Sequence, residues 1–325
     1  MNSVAMVSTA LGVLFLTFLV MDVLLTVFPP LGHGGPVHRR QNQLAWKLFR
    51  LVGRRLDGSP RPKVLGLAGP VIAMMSVAVW GVWLVLGFAL IYAPYSSTFS
   101  TTAVSGGWAE TLYYSGYVAT TLGLGDVVAT TPGLRLLTVL EAMGGFALFA
   151  VATSYVFSIT RELATAGTLA LELASFRACG DGRTEGWTLA ADGGDEAVAR
   201  WTEAWARSLF RMAHAHGQYP LLQFFRAADA DRALPVQLGR VLELVEAETD
   251  RSSGAGTGEP ELPRPDSPAV SPLLRHALLR YLVEVNRACI PAGFDPLPAP
   301  PSELPAERLH ARLLRYTCHD PRAAG

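Results

Sequence analysis

The residues that can do chemistry in this chain sit in one short stretch, Thr120-Thr121-Leu122-Gly123-Leu124-Gly125-Asp126. No nucleophile beside a base and no His, Cys or carboxylate cluster with metal-ligand spacing accompanies them. What they can supply is oxygen. Gly123 and Gly125 take positive φ at little steric cost, so successive carbonyls can all be turned toward one axis. The carbonyls running from Thr121 through Leu122, Gly123 and Leu124 to Gly125, with the Thr121 hydroxyl, can then replace the hydration shell of a monovalent cation. Asp126, at the mouth of such a site, would concentrate cations by its negative charge.

Such a stretch needs elements to hold it. A short helix is expected from about Glu110 to Thr120, with its partly negative C-terminal end directed at the cation. On either side lie apolar runs, residues 68–93 and 134–160, each long enough to cross a bilayer. Irregular backbone between two spans survives in a membrane only where it is buried in protein or lines a water-filled cavity. Gly144-Gly145 falls near the middle of the second run and predicts a bend, with Gly145 as a hinge. Below it Phe149, Thr153 and Phe157 recur every fourth residue. Either they face a conduction path, with Thr153 and Phe157 as a gate, or they pack as ordinary helix residues.

These residues resemble the potassium-channel signature T-T-V-G-Y-G-D. The aromatic pair Tyr113-Tyr114 stands where that family carries aromatics on its pore helix. Arg135 and Gly145 fall where it often has a basic residue opening the inner helix and a hinge glycine. The resemblance covers about residues 70–160. It implies a selectivity filter at Thr121, Leu122, Gly123, Leu124 and Gly125, closed into a ring by four copies of the chain. Two departures stand out. Leu124 replaces the usual tyrosine, so the outer filter loses a phenol that could bond to the surrounding aromatics. Tyr117 occupies a position where some members keep a glutamate behind the filter, and Glu141 on the following helix is expected to supply a carboxylate there.

Composition agrees with a membrane protein: half of the 325 residues are hydrophobic and 27 basic residues balance 27 acidic ones. The charges are unevenly placed, nine basic and five acidic in residues 1–160 against 18 and 22 in residues 161–325. No basic, aromatic-interleaved patch suggests nucleic acid. Residues 4–28 form a further apolar run broken by Asp22 and read as a retained membrane helix rather than a leader. An acid inside a span is a functional candidate by default. Lying in the last two turns, Asp22 is expected instead to reach water, Thr26 or Arg39.

Between Pro29 and Lys63 eight basic residues face the single acid Asp57, which makes this loop cytoplasmic by the positive-inside rule. Pro29-Pro30 and Gly34-Gly35-Pro36 end the first span. Leu44, Leu48, Leu51, Val52 and Leu56 then recur at helical spacing among the arginines, as in an amphipathic helix on the inner leaflet. The expected topology is a multi-pass plasma-membrane protein with its N-terminus outside and its C-terminus in the cytoplasm.

The expected organisation is an N-terminal membrane helix (1–30), a basic amphipathic segment (31–67), a pore module (68–160), a helical domain (161–250), a flexible linker (251–269) and a C-terminal helical segment (270–325). Amphipathic stretches lie near 161–178, 194–217, 219–229, 233–249, 270–289 and 303–317. Cys179, Cys289 and Cys318 are too few and too scattered for a disulfide framework. Gly193-Gly194-Asp195-Glu196 shares four letters with the diguanylate-cyclase signature, but Ala197 stands for its aromatic and no strand pattern surrounds it. His214 and His216 are two apart, share no helix face and read as a solvated pair. No G-x-G-x-x-G follows a predicted strand.

The reading is an all-α membrane protein with a potassium-channel-like pore module behind one extra membrane helix, followed by a helical cytoplasmic domain. Its expected activity is that of a homotetrameric, potassium-selective cation channel and not an enzyme. It is expected to need no cofactor and no metal beyond the permeant potassium ion. The expected partners are copies of itself, the lipid bilayer and an unidentified ligand or protein for residues 161–325. The alternatives are a weakly selective cation channel, or a membrane-anchored sensor or scaffold with a vestigial pore.

Overall fold

The structure is a computed structural model. It describes residues 3–28, 35–55, 60–101, 107–178, 194–225, 227, 233–252, 272–291 and 294–317. Pro29-Pro30, Gly34, Leu56, Asp57, Cys179, Gly193, Cys318 and all but the first two residues of the expected linker lie outside these. The chain divides into two compact units, Met1–Leu44 with Val71–Ser158, and Ala45–Pro70 with Ile159–Gly325.

Among the described residues three helices are long and apolar enough to cross a membrane, spanning Ser3–Val27, Lys63–Thr98 and Pro132–Ser175 by length and composition. In the first unit, α1 (Ser3–Val27) runs antiparallel to α4 (Ala68–Tyr92). The Ser8 hydroxyl donates to the Leu90 carbonyl at 2.7 Å and Phe15 meets Trp83 with centroids 5.2 Å apart. The helices cross at Gly12 and Gly87, where a Cβ added to Gly12 would stand 2.5 Å from the Gly87 oxygen. Small residues at such a crossing let backbones approach and gain packing where lipid gives no hydrophobic drive.

Asp22 does not reach water. It is buried, and its Oδ2 accepts the Trp80 indole N–H at 3.0 Å. Its Oδ1 accepts the backbone N–H groups of Val37 and His38 at 3.1 and 3.3 Å, in the first turn of α2 (Pro36–Arg54). Thr26 Oγ1 takes the Gly35 N–H at 3.0 Å. Orphan donors at a helix start favour a carboxylate over bulk water once the site is closed. Gly35 is required there, since its Cβ would fall 2.0 Å from Asp22 Oδ1. His38, stacked on Trp80, meets the Tyr155 hydroxyl through Nε2 at 3.2 Å.

After α4 a 3-10 turn (Ala93–Thr98) leads to β1 (Phe99–Thr101), and α5 (Trp108–Ala119) carries the chain to the segment at 120–126. β2 (Val127–Ala129) then pairs antiparallel with β1, Phe99 opposite Ala129 and Thr101 opposite Val127. This ribbon, absent from the all-helical expectation, ties together the two ends of the re-entrant loop. α6 (Pro132–Ala178) is helical throughout, so the third span and the amphipathic stretch at 161–178 are one helix.

The second unit takes in the later part of α2, α3 (Pro60–Gly66), the last turns of α6 and four further helices: α7 (Gly194–Gln218), α8 (Leu234–Ser252), α9 (Pro272–Ala288) and α10 (Ala306–Tyr316). Among the described residues of the stretch near 219–229, Pro220–Phe224 form a 3-10 turn, since Tyr219 leaves helical backbone at φ −121°. The core gathers Trp205, Leu209, Leu238, Val241, Leu278, Leu282, Leu309 and Leu313. Trp46 packs on Phe224 and Tyr316, and the Arg50 guanidinium lies 4.7 Å over the Phe294 ring.

Arg312 is buried, donating to the Phe294, Asp295 and Pro291 carbonyls and to Asn286. It thereby closes the C-terminal end of α9, in keeping with the five-donor guanidinium fork. His216 is a correction to the solvated-pair reading. It is buried, with Nδ1 on the Met212 carbonyl at 2.9 Å and its ring edge on Tyr281, while His214 stays exposed beside Gln218.

Candidate functional site: a pore helix and an extended carbonyl segment

Helix α5 supplies the platform. Tyr114, Ser115, Tyr117 and Val118 are buried along it, and the Ser115 hydroxyl donates to the Val85 carbonyl of α4 at 2.9 Å and also to Glu141 of α6. Glu141 is fully buried at this junction. It packs there against the helix that leads into the 121–125 segment.

The helix ends at Thr120, and the next residues leave helical geometry in an alternating way. Thr121, Gly123 and Gly125 have φ of 58°, 60° and 78°. In an ordinary strand successive peptide groups point to opposite sides. A left-handed residue at every second position cancels that alternation and brings carbonyls onto one side. Glycine adopts this conformation freely. Thr121, β-branched, does so at a cost on the order of 1–3 kcal/mol, and such strain persists only where neighbours over-determine it.

Tyr117 provides that restraint. Its carbonyl accepts the Leu122 N–H at 2.8 Å, and its hydroxyl donates to the Val127 carbonyl. The Thr121 N–H bonds to the Val118 carbonyl at 2.9 Å. Tyr117 therefore lies behind the segment and fastens both of its ends. Around it Tyr113, Tyr114, Tyr92 and Phe99 meet edge to face at centroid distances of 4.7–5.8 Å. The Tyr113 hydroxyl donates to Asp126 Oδ2 at 2.8 Å, and Asp126 Oδ1 accepts the Val127 N–H. Arg135 fixes the exit by donating from Nε to the Ala129 carbonyl at 3.0 Å.

Leu122 and Leu124 are 63% and 55% exposed in a single chain, so the segment has no cover of its own. The same holds for one face of α6, where Leu136, Leu140, Met143, Phe146, Phe149 and Phe157 are exposed. Thr153 lies on this stripe and back-bonds to the Phe149 carbonyl at 2.8 Å. Gly145 is where α6 touches α5. A Cβ there would lie 2.0 Å from the Ala119 oxygen, and the helix continues through Gly144-Gly145 without interruption. Close packing thus accounts for this glycine in the structure. The Ser115–Glu141 pair, the double fastening by Tyr117 and the Asp22 junction could not be located by sequence reasoning. The available signal was one acid in each of two apolar spans.

Comparison with known proteins agrees with this geometry. The family model described as "Ion channel" matches residues 78–162. The chain is 26% identical over 219 residues to a protein of Bacillus subtilis (strain 168) named "Uncharacterized membrane protein YdjJ", over 66% of this chain and 62% of that one. The chain thus spans under two thirds of that relative's length. No solved structure matches. Residues 78–162, which hold the re-entrant helix, the segment at 120–126 and parts of α4 and α6, are thus similar to that ion-channel family.

Proposed function

We propose that the chain is one subunit of a homotetrameric potassium channel of the plasma membrane, conducting through the backbone carbonyls of residues 121–125. The observation that carries this reading is the left-handed residue at every second position, 121, 123 and 125, directly after the pore helix. One such segment per chain lines only a quarter of a ring, and carbonyl filters close as rings of four. The exposed apolar stripe on α6 and the uncovered Leu122 and Leu124 support association with further copies. Asp126 stands at the outer mouth, the permeant ion is potassium, and no cofactor takes part. The basic residues of α2 favour an orientation with the N-terminus outside and the C-terminus in the cytoplasm. A gating role for Gly145, Thr153 and Phe157 is part of the proposal.

The test is flux through purified protein in liposomes under opposed potassium and sodium gradients, with subunit number read by native mass spectrometry. Potassium-dependent flux from a four-subunit species is expected. Silent tetramers would leave a scaffold with a vestigial pore, and monomers would remove the ring. A second reading, a weakly selective cation channel, is favoured by Leu124, whose side chain has no hydroxyl to bond to the tyrosines behind it.

A further inference from the structure

Behind the inner helix, side chains from four helices of the first unit meet in a closed node. Asp22 of α1, His38 of α2, Trp80 of α4 and Tyr155 of α6 are each no more than 4% exposed. The His38 imidazole stacks on Trp80 with centroids 5.9 Å apart and meets Tyr155 edge to face at 6.0 Å, and the two larger rings lie 5.9 Å from each other. Its Nε2 is 3.2 Å from the Tyr155 hydroxyl. One turn further along both helices, the Ser76 hydroxyl of α4 lies 3.4 Å from Asn42 Oδ1 of α2, so the two helices meet at two levels.

The node is set up by the start of α2. Asp22 accepts the Val37 and His38 N–H groups and so fixes where that helix begins, which in turn aims the His38 ring. The ring reaches α6 at Tyr155, two residues from Thr153 on one side and from Phe157 on the other. Two residues turn a helix by about 200°. Tyr155 therefore stands on the back of α6, away from the exposed stripe that carries Phe149 and Phe157. Contact at 155 constrains the rotation and tilt of the segment to which gating is assigned above.

We propose that His38 is a positioning residue for the inner helix: its neutral ring, wedged between Trp80 and Tyr155, holds α6 in place, and protonation of that ring releases it. Only the effect on flux rests on the channel reading. An imidazolium is costly in a closed, largely aromatic site. Among the described residues the ionisable groups against the ring are Asp22 from α1 and the Tyr155 phenol from α6. From α4 come Trp80 and Ser76, which do not ionise, while Arg39 and Arg40, next on α2, are exposed. Burial holds the imidazole down to about 4 and outweighs the attraction of Asp22, whose oxygens already take three N–H groups. Released into water, the ring returns to its ordinary 6.5. Acid therefore favours release, and above pH 7 the hold is at full strength. Between pH 6.5 and 4 the balance shifts tenfold per pH unit, up to about 300-fold.

The test uses the full chain in lipid nanodiscs with two fluorine labels read by NMR, and potassium flux in liposomes. One label is 5-fluorotryptophan at position 80, against the His38 ring. The other is 4-trifluoromethylphenylalanine at position 157, on the opposite face of α6. Both resonances are expected to titrate with one midpoint between pH 6.5 and 4, and flux to change with the same midpoint. Tyr155→Phe, which removes the hydroxyl paired with the neutral ring, should move that midpoint toward 6.5. His38→Gln, which stays polar and binds no proton, should abolish all three titrations, whereas His33→Gln should leave them. Thermal unfolding at neutral pH confirms that the variants fold. Titrations that persist in His38→Gln would overturn the proposal, because another group would then be their source. A label at 80 that titrates beside a static label at 157 would overturn it too, since His38 would take its proton without moving α6. Should His38→Gln not fold, an unmoved midpoint in Tyr155→Phe decides against the proposal. Both labels titrating as expected in a chain that passes no ions at any pH would reject the channel reading and uphold the hold on α6.

Discussion

The carbonyl oxygen of Ala119, at the end of the pore helix, occupies the place where a Cβ on Gly145 would stand, 2.0 Å away. Nothing with a side chain fits at 145 unless the inner helix and the pore helix part.

Gly145→Ala is therefore expected to destabilise the pore module by about 1–3 kcal/mol, the usual cost of overpacking, and to reduce flux. Gly144→Ala is the control, since its nearest neighbour, Leu84 Cδ1, is 3.8 Å off in ordinary contact. Thermal unfolding and liposome flux on both variants check this. If the position served only as a hinge, flux would change while stability did not.

Gly123→Ala should abolish flux while leaving subunit association intact. Gly123 sits at φ 60° with open space around its Cβ position, so the substitution strains backbone without any clash. The left-handed region costs an L-residue roughly 1–2 kcal/mol, enough to turn carbonyls away from one axis. Undiminished current in an assembled Gly123→Ala protein would refute conduction through this segment.

Leu124→Tyr should raise the preference for potassium over sodium. A phenol at 124 can bond to the aromatic cuff and hold the outer carbonyls at a fixed spacing, which leucine cannot do. Reversal potentials in mixed ions measure it, and a shift toward sodium would contradict it.

Asp22→Leu removes the acceptor for three donors, Trp80 Nε1–H and the N–H groups of Val37 and His38. A loss of roughly 2–5 kcal/mol is expected from unpaired buried donors. Trp80→Phe, which removes one of the three, should cost less. In a double-mutant cycle followed by unfolding in nanodiscs the two changes should be non-additive, and additive effects would mean that the indole and carboxylate are not coupled.

Acid should weaken the second unit before it affects carboxylates. His216 is held at about 4 by burial, below its ordinary 6.5. As pH falls through 6.5 the unfolded chain takes up a proton that the folded one refuses, so stability drops between about pH 6.5 and 4 and is unaffected above 7. His216→Gln should flatten that part of the stability profile. An unaltered slope would mean that other groups dominate it.

Much of this protein was legible in its residue order, because the relevant physics is local or periodic. Long apolar runs are readable since a bilayer demands some twenty apolar residues whatever they pack against. The segment at 121–126 is readable since only certain backbones tolerate positive φ, and glycine at 123 and 125 advertises that tolerance. Amphipathic periodicity located α2, α7, α8, α9 and α10 for the same reason.

Tertiary structure alone decided what depends on which distant groups meet. Asp22 looked as if it reached water, Thr26 or Arg39 because it lies in the last two turns of its span. It is buried because the start of α2 and the Trp80 indole bring three donors to it. Glu141 was expected behind the filter, and its partner on the pore helix, Ser115, is set by helix rotation, which decides which face of α6 meets α5. Gly145 was expected at a bend and also proves to pack on the Ala119 carbonyl, and His216 looked solvated and is enclosed by Met212 and Tyr281. In each case the sequence carries the residue's chemistry, while burial and partner are set by elements far along the chain.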